Sequence, residues 1–222
     1  FSYYSCSSCA AHPFSERILY MNFIIITSFL LFSIVFFFAR KRASRIEEAR
    51  DREFWDREKR ANFVRRKSLD GLDYITIPNE LLNMKPAVTT EALNACIREL
   101  NDLSEYQIVN LTGYTNTDLK LAYGTANITI LSDFDLHYTN LVTLLQKLAE
   151  LLHENNEDAL AAATLEFAVS TGTDVSKSYY LLADIYQEAG TPEKIGALIS
   201  HAQKINSMMK DSIVQRLREA YQ

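Results

Sequence analysis

Hydrophobic residues fall along this chain in three regimes. Residues 18–39 carry no charge and stop abruptly against Arg40, Lys41 and Arg42. A helix rises about 1.5 Å per residue, so a stretch of this length reaches about 33 Å, enough for a hydrocarbon core of about 30 Å. The first regime therefore predicts one uncleaved transmembrane helix. In the second, residues 40–67, charges of both signs alternate, and Glu48/Arg52, Glu53/Arg57 and Asp56/Arg60 stand in the acid-before-base order that supports a helix at i, i+4. This segment reads as a solvated helical neck broken by Gly71, and as a spacer rather than an interfacial helix with Phe54 and Trp55 in lipid. The third regime, from residue 89 onward, repeats apolar positions at three- and four-residue steps, the mark of helices with one buried face.

Within the third regime the punctuation is specific. Residues 68–88 form a linker whose residues 72–78, closed by Pro78, read as an extended strap over the head. Thr90 is placed to cap a helix that buries Leu93, Cys96, Ile97, Leu100 and Leu103. Ser104 with Gln107 matches a capping box for a further short helix, and Thr115 with Asp118 matches another, which ends at Gly124. Leu131, Phe134, Tyr138, Leu141, Leu145, Leu148 and Leu152 then predict an amphipathic helix of about seven turns.

The C-terminal part of the chain repeats itself. Laying it over itself so that Ala149 meets Ala183 also aligns Leu152 with Tyr186, Asn156 with Gly190, Leu165 with Ile199, and Ala168 with Ala202. Small residues meet small ones and large apolar residues meet large ones. A second unit, carrying Tyr179, Leu182, Ala183, Tyr186, Gly190, Ile199 and Ala202, starts its second helix with Thr191 and Pro192. This pattern of helix, turn and helix over residues 142–209 resembles the tetratricopeptide repeat family. The chain departs from that family at Leu145, where tryptophan is usual, at Asn156 in place of the turn glycine, and at Thr173 and Ser207, where proline commonly closes each unit.

The resemblance implies an all-α chain with a right-handed helical-hairpin solenoid head. Its divisions are an N-terminal segment 1–17, the span 18–39, the basic neck 40–67, the linker 68–88, a helical hairpin region 89–141, and repeats with a capping helix over 142–222. In that family the first helix of each unit lines a concave groove that holds a peptide. Here the corresponding positions are Thr143, Gln146, Glu150 and His153, then Lys177, Tyr180, Asp184 and Gln187. Tyr180 is the expected anchor and Lys177 the expected partner for an acidic group. Two repeats are fewer than a stable solenoid needs, so helices from 89–141 and 211–221 are expected to cover its ends.

Charge sharpens this organisation. Residues 40–67 hold twelve Lys and Arg against six Asp and Glu, whereas residues 68–222 hold ten against twenty-one. A basic neck suits anionic lipid headgroups, with Arg40, Lys41, Arg42 and Arg45 at the membrane surface, and an acidic head repels nucleic acid. The same basic flank places the N-terminus outside and the C-terminal domain in the cytoplasm of a single-pass cell-membrane protein. The three cysteines build no disulfide framework, and Cys96 reads as a buried thiol in a reducing compartment.

Residues 1–20 precede the first methionine and are expected to be non-native, so Cys6 and Cys9 with nearby His12 are not read as a metal or redox site. Tyr114, Asn116 and Lys120 read as ordinary turn chemistry. Asp133 and His137, one turn apart on the polar side of the amphipathic helix, imitate a metal cluster with Asp135 but supply at most half a site, and the segment from His153 to Glu157 lacks the second histidine of a zinc-protease helix. With no phosphate loop, nucleophile elbow or paired Cys/His ligands, the expectation is a non-enzymatic adaptor without cofactor or small-molecule substrate, binding a protein or peptide at the membrane. The alternatives are a structural subunit assembling through span and neck, with no peptide-binding groove, and, ranked last, a membrane-surface enzyme.

Overall fold

The computed structural model describes residues 12–221, with side chains described from residue 21 onward except 22 and 221. It divides into two units, Phe1–Lys59 and Arg60–Gln222. Cys6 and Cys9, and the side chain of His12, lie outside the described residues. The described chain is mostly helical and contains no strand, only an isolated antiparallel bridge between Tyr74 and Val109.

The described part of the first unit is a single helix. α1 runs His12–Asn62, its final turn entering the second unit, and includes a segment long and apolar enough to cross a membrane. Phe29, Leu31, Phe32, Phe37 and Phe38 are all more than 60% exposed, an apolar surface that the described residues leave uncovered. Along this apolar stretch Thr27 donates to the Phe23 and Ile24 carbonyls and Ser33 to the Phe29 carbonyl, so these hydroxyls are satisfied within the helix itself. The charged segment continues the apolar one without a break.

The helix stops at Asn62, earlier than Lys67 and well before Gly71. Distant partners end it. Thr125 donates its hydroxyl to the Ala61 and Asn62 carbonyls, Lys120 Nζ donates to Asn62 Oδ1 at 2.9 Å, and the Lys67 amide donates to the Tyr123 carbonyl at 3.0 Å. The chain then passes so close to Gly124 that a Cβ there would lie 2.3 Å from the Arg65 carbonyl oxygen. Gly124, at φ 90°, serves both as helix stop and as space for this crossing.

The second unit adds α2 (Asn79–Leu82), α3 (Glu91–Leu103), α4 (Asn116–Tyr123), a 3₁₀ turn (Thr125–Asn127), α5 (Ile128–Glu154), α6 (Asp158–Ser170), α7 (Ser176–Glu188), α8 (Glu193–Ala202) and α9 (Lys210–Tyr221). The linker over 68–88 is thus interrupted by α2. Ahead of it the extended chain docks through the Ile75 amide, which donates to the Ile108 carbonyl, while Ile77 is buried. Thr90 caps α3 by accepting from the Leu93 amide, and Thr115 with Asp118 completes a capping box on α4. Ser104 behaves otherwise. Its hydroxyl donates back to the Asn101 carbonyl, and residues 104–107 turn without forming a helix, delivering Ile108 and Val109 to the strap.

α5 is the centre of the packing. Leu131, Phe134, Tyr138, Leu141, Leu145, Leu148 and Leu152 are all buried, each leucine contributing about 1.5–3 kcal/mol relative to exposure. Because this helix is continuous, the division between residues 141 and 142 falls inside one rigid element. α3 and α6 both pack on α5; α6 then meets α7, α7 meets α8, and α8 meets α9, with further contacts of α5 with α7, α6 with α8, and α7 with α9. A principal core joins these helices, and a smaller cluster of Val109, Leu111, Leu119, Leu131 and Phe134 holds α4 and the strap to the start of α5.

Candidate functional site

The turns between helices set the geometry of the candidate face. After α5, Asn156 adopts φ 61°, the Asn156 amide donates to the His153 carbonyl at 2.9 Å, and the Glu157 amide donates to the Leu152 carbonyl at 2.9 Å. After α7, Gly190 adopts φ 69°, its amide donates to the Gln187 carbonyl at 3.0 Å, and the Thr191 amide donates to the Tyr186 carbonyl at 2.9 Å. Each is the left-handed helix stop that satisfies orphan carbonyls. The turns that close α6 and α8 also correspond. Thr173 Oγ1 accepts from the Val175 amide and Ser207 Oγ from the Met209 amide, both at 3.2 Å.

Between these turns α5 and α7 present the eight residues singled out from the sequence, and contacts tie several of them together. Gln146 is buried, not open to solvent. Its Nε2 donates to Glu150 Oε1 at 2.9 Å, and its Oε1 accepts from the buried Ser178 hydroxyl at 2.6 Å. A buried carboxamide must be hydrogen-bonded, and this one engages both ends inside the protein. Lys177 Nζ lies 3.8 Å from Glu150 Oε1, with the lysine side chain 78% exposed, so the pair is solvent-screened and able to exchange partners. Tyr180 is half-buried and carries the Arg216 guanidinium of α9 over its ring at 4.6 Å. His153 Nδ1 sits 2.6 Å from Asp158 Oδ1, joining the end of α5 to the start of α6. Thr143, Asp184 and Gln187 are exposed, with Thr143 donating its hydroxyl to the Thr139 carbonyl.

Two of these partners were not legible in advance. Ser178 and Arg216 complete the face, from α7 and α9, and no local pattern announces either. The contacts join carboxamide to hydroxyl and carboxylate, ammonium to carboxylate, imidazole to carboxylate and guanidinium to ring, and they hold and orient these groups.

Behind the face, buried tyrosines lock the helices. Burial pushes the Tyr138 hydroxyl up to about 12; this hydroxyl donates to the Thr171 carbonyl and accepts from Asn110 Nδ2 at 3.0 Å. Burial raises Tyr179, which donates to the Thr173 carbonyl at 2.8 Å. Burial, with the Glu166 carboxylate next, raises Tyr186, which donates to Glu166 Oε1 at 2.7 Å. Burial likewise raises the Cys96 thiol, which disfavours its thiolate.

Several of the remaining sequence candidates are taken up by structural contacts. His137 Nδ1 contacts the Gln107 carbonyl at 3.0 Å and Asp135 Oδ1 accepts from the Leu111 amide, so these two brace the loop before α4. Glu157 Oε1 accepts from the Ala87 and Val88 amides. Tyr114 is exposed. In the first unit Arg40, Lys41, Arg42 and Arg45 are exposed, the last three sharing a shallow surface recess with Phe38. Comparison with models of known protein families, with curated proteins and with solved structures gives no match to this chain.

Proposed function

We propose that this chain is a membrane-anchored adaptor whose head is built from two tetratricopeptide-like helical hairpins, 142–175 and 176–209, and recruits a protein partner through the α5–α7 face. The observation that carries the reading is the recurrence of turn chemistry at the sequence period. The step from the left-handed stop at Asn156 to that at Gly190 equals the step from the hydroxyl turn at Thr173 to that at Ser207, and equals the step from Ala149 to Ala183. α9 follows α7 by the same step and turns Asp211, Gln215, Arg218 and Glu219 outward, as a polar cap over the second hairpin would.

The anchor limits where recruitment happens. With the basic flank at the cytoplasmic surface, the head samples only membrane-proximal partners and their effective concentration rises. Because α1 is continuous, Trp55 stands beyond Ala39 on the span's own axis, about 24 Å from the apolar segment. That supports a spacer neck over a helix lying in the headgroups. The side chains of the face that reach solvent most fully are Thr143, Lys177, Asp184 and Gln187.

One observation favours the structural-subunit reading. Gln146 and Tyr180 are engaged by Ser178 and Arg216, so part of the face stitches helices together. The readings part in one experiment: cross-linking and mass spectrometry of the full-length protein in its native membrane, beside a Lys177→Glu/Asp184→Lys variant with unchanged helical circular dichroism. A partner captured by the parent and lost by the variant is the expected result. The same partners in both would move recognition to span, neck or strap.

A further inference from the structure

One residue of the face belongs also to a second group. His153 in the last turn of α5, Asp158 at the first position of α6 and Glu188 at the last position of α7 bring a ring nitrogen and two carboxylate oxygens within 4.8 Å of one another. We propose that these three residues bind a divalent transition metal of the zinc class, pinning the turn after α5 to the end of α7.

The donor set fits that class. Zinc takes imidazole nitrogen and carboxylate oxygen at about 2.0–2.2 Å, which leaves tetrahedral ligand atoms about 3.3–3.6 Å apart. Here one donor pair stands closer than that, His153 Nδ1 and Asp158 Oδ1 at 2.6 Å, and the widest lies within 4.8 Å. Side-chain rotation of about an ångström brings all three to bonding distance, the ion replacing the direct His153–Asp158 contact. Magnesium and calcium prefer all-oxygen shells, so the imidazole selects against them.

The surrounding electrostatics point the same way. His153 and Glu188 both lie in C-terminal turns, where the partial negative charge of the helix end attracts a cation. Glu188 stands where that helix end opposes a carboxylate, and among the described residues neither lysine nor arginine pairs with it. A metal ion supplies the missing positive charge. His153 and Asp158 side chains are 33% and 46% exposed, which gives the ion entry and lets water complete its shell.

The test is zinc titration calorimetry, with cobalt absorption spectroscopy in parallel, on full-length protein in detergent. A Cys6→Ser/Cys9→Ser background removes competing thiols. The expected result is one site of one-to-one stoichiometry, weakened about tenfold or more by His153→Ala, Asp158→Asn or Glu188→Gln and unchanged by Glu154→Gln. Glu188 is solvent-exposed, so its substitution does not rest on refolding of the core. Absence of binding in the parent would overturn the assignment. So would zinc affinity that survives Glu188→Gln and His153→Ala, or magnesium binding of equal strength.

Discussion

The turn after α5 is Asn155, Asn156 and Glu157; the turn after α7 is Ala189, Gly190 and Thr191. The side chains share nothing, yet the backbone bonds correspond pair for pair. The Glu157 and Thr191 amides both close their turns at 2.9 Å, and the Asn156 and Gly190 amides do so at 2.9 Å and 3.0 Å. The helices behave alike. Ala149 and Ala183 are fully buried, as are Ala168 and Ala202, while Leu145 stands at the position that corresponds to Tyr179 in the second segment. The difference lies in polar anchoring: Tyr179 ties its ring to the Thr173 carbonyl, and Leu145 has no such tether. What recurs is the space available and the backbone bonds to be satisfied, not residue identity.

Truncating the two equivalent core positions breaks the comparison most severely. Tyr179→Ala should cost about 3–5 kcal/mol and Leu145→Ala about 2–5 kcal/mol in denaturant unfolding of the head, both by opening cavities among fixed helices. Tyr179→Phe isolates the tether and should cost only about 1 kcal/mol.

Alkaline pH tests the polar anchors together. A tyrosine in the unfolded chain loses its proton near its ordinary value of 10.0, whereas Tyr138 holds its proton to about 12 in the fold. A raised native value gives stability that is complete below pH 10 and lost as pH rises through 12. Tyr179 and Tyr186, raised in the same direction, extend that loss. Circular dichroism melts should therefore stay level with respect to these groups up to about pH 10 and fall progressively above it.

The two left-handed stops can be compared by one substitution series. Gly190→Ala and Asn156→Ala should each destabilise by about 1 kcal/mol, since a Cβ is disfavoured at positive φ although open space surrounds Gly190. Asn156→Gly should be neutral or stabilising by a few tenths of a kcal/mol. At the other pair of turns, Thr173→Val should cost at most about 1 kcal/mol by freeing the Val175 amide. Ser207→Ala at the corresponding, more exposed turn should cost less, measured by thermal melting.

Much of the fold was readable because it depends on local spacing. The period of α5, the Thr90 cap, and the Thr115–Asp118 box are all set by residues within a few positions of one another, and the structure places each as the pattern predicts. The misreadings share a cause. The end of α1 is drawn by Thr125, Lys120 and Tyr123, far along the chain, and Ser104 turns back to α3 instead of starting a helix. Gln146 sits at a position that helical register alone assigns to solvent. Ser178, from α7, satisfies its carboxamide oxygen in the interior. Likewise Arg216 reaches Tyr180 across an interface that no spacing within α7 reveals.

The adaptor reading rests on residues 142–175 and 176–209 being equivalent units. Native-state hydrogen exchange at the Glu157 and Thr191 amides measures that most directly, because each donates across its turn to the corresponding carbonyl at 2.9 Å. Equivalent units predict strong protection at both amides, lost together on global unfolding. Free exchange at either one, with protection kept at the other, would contradict the equivalence.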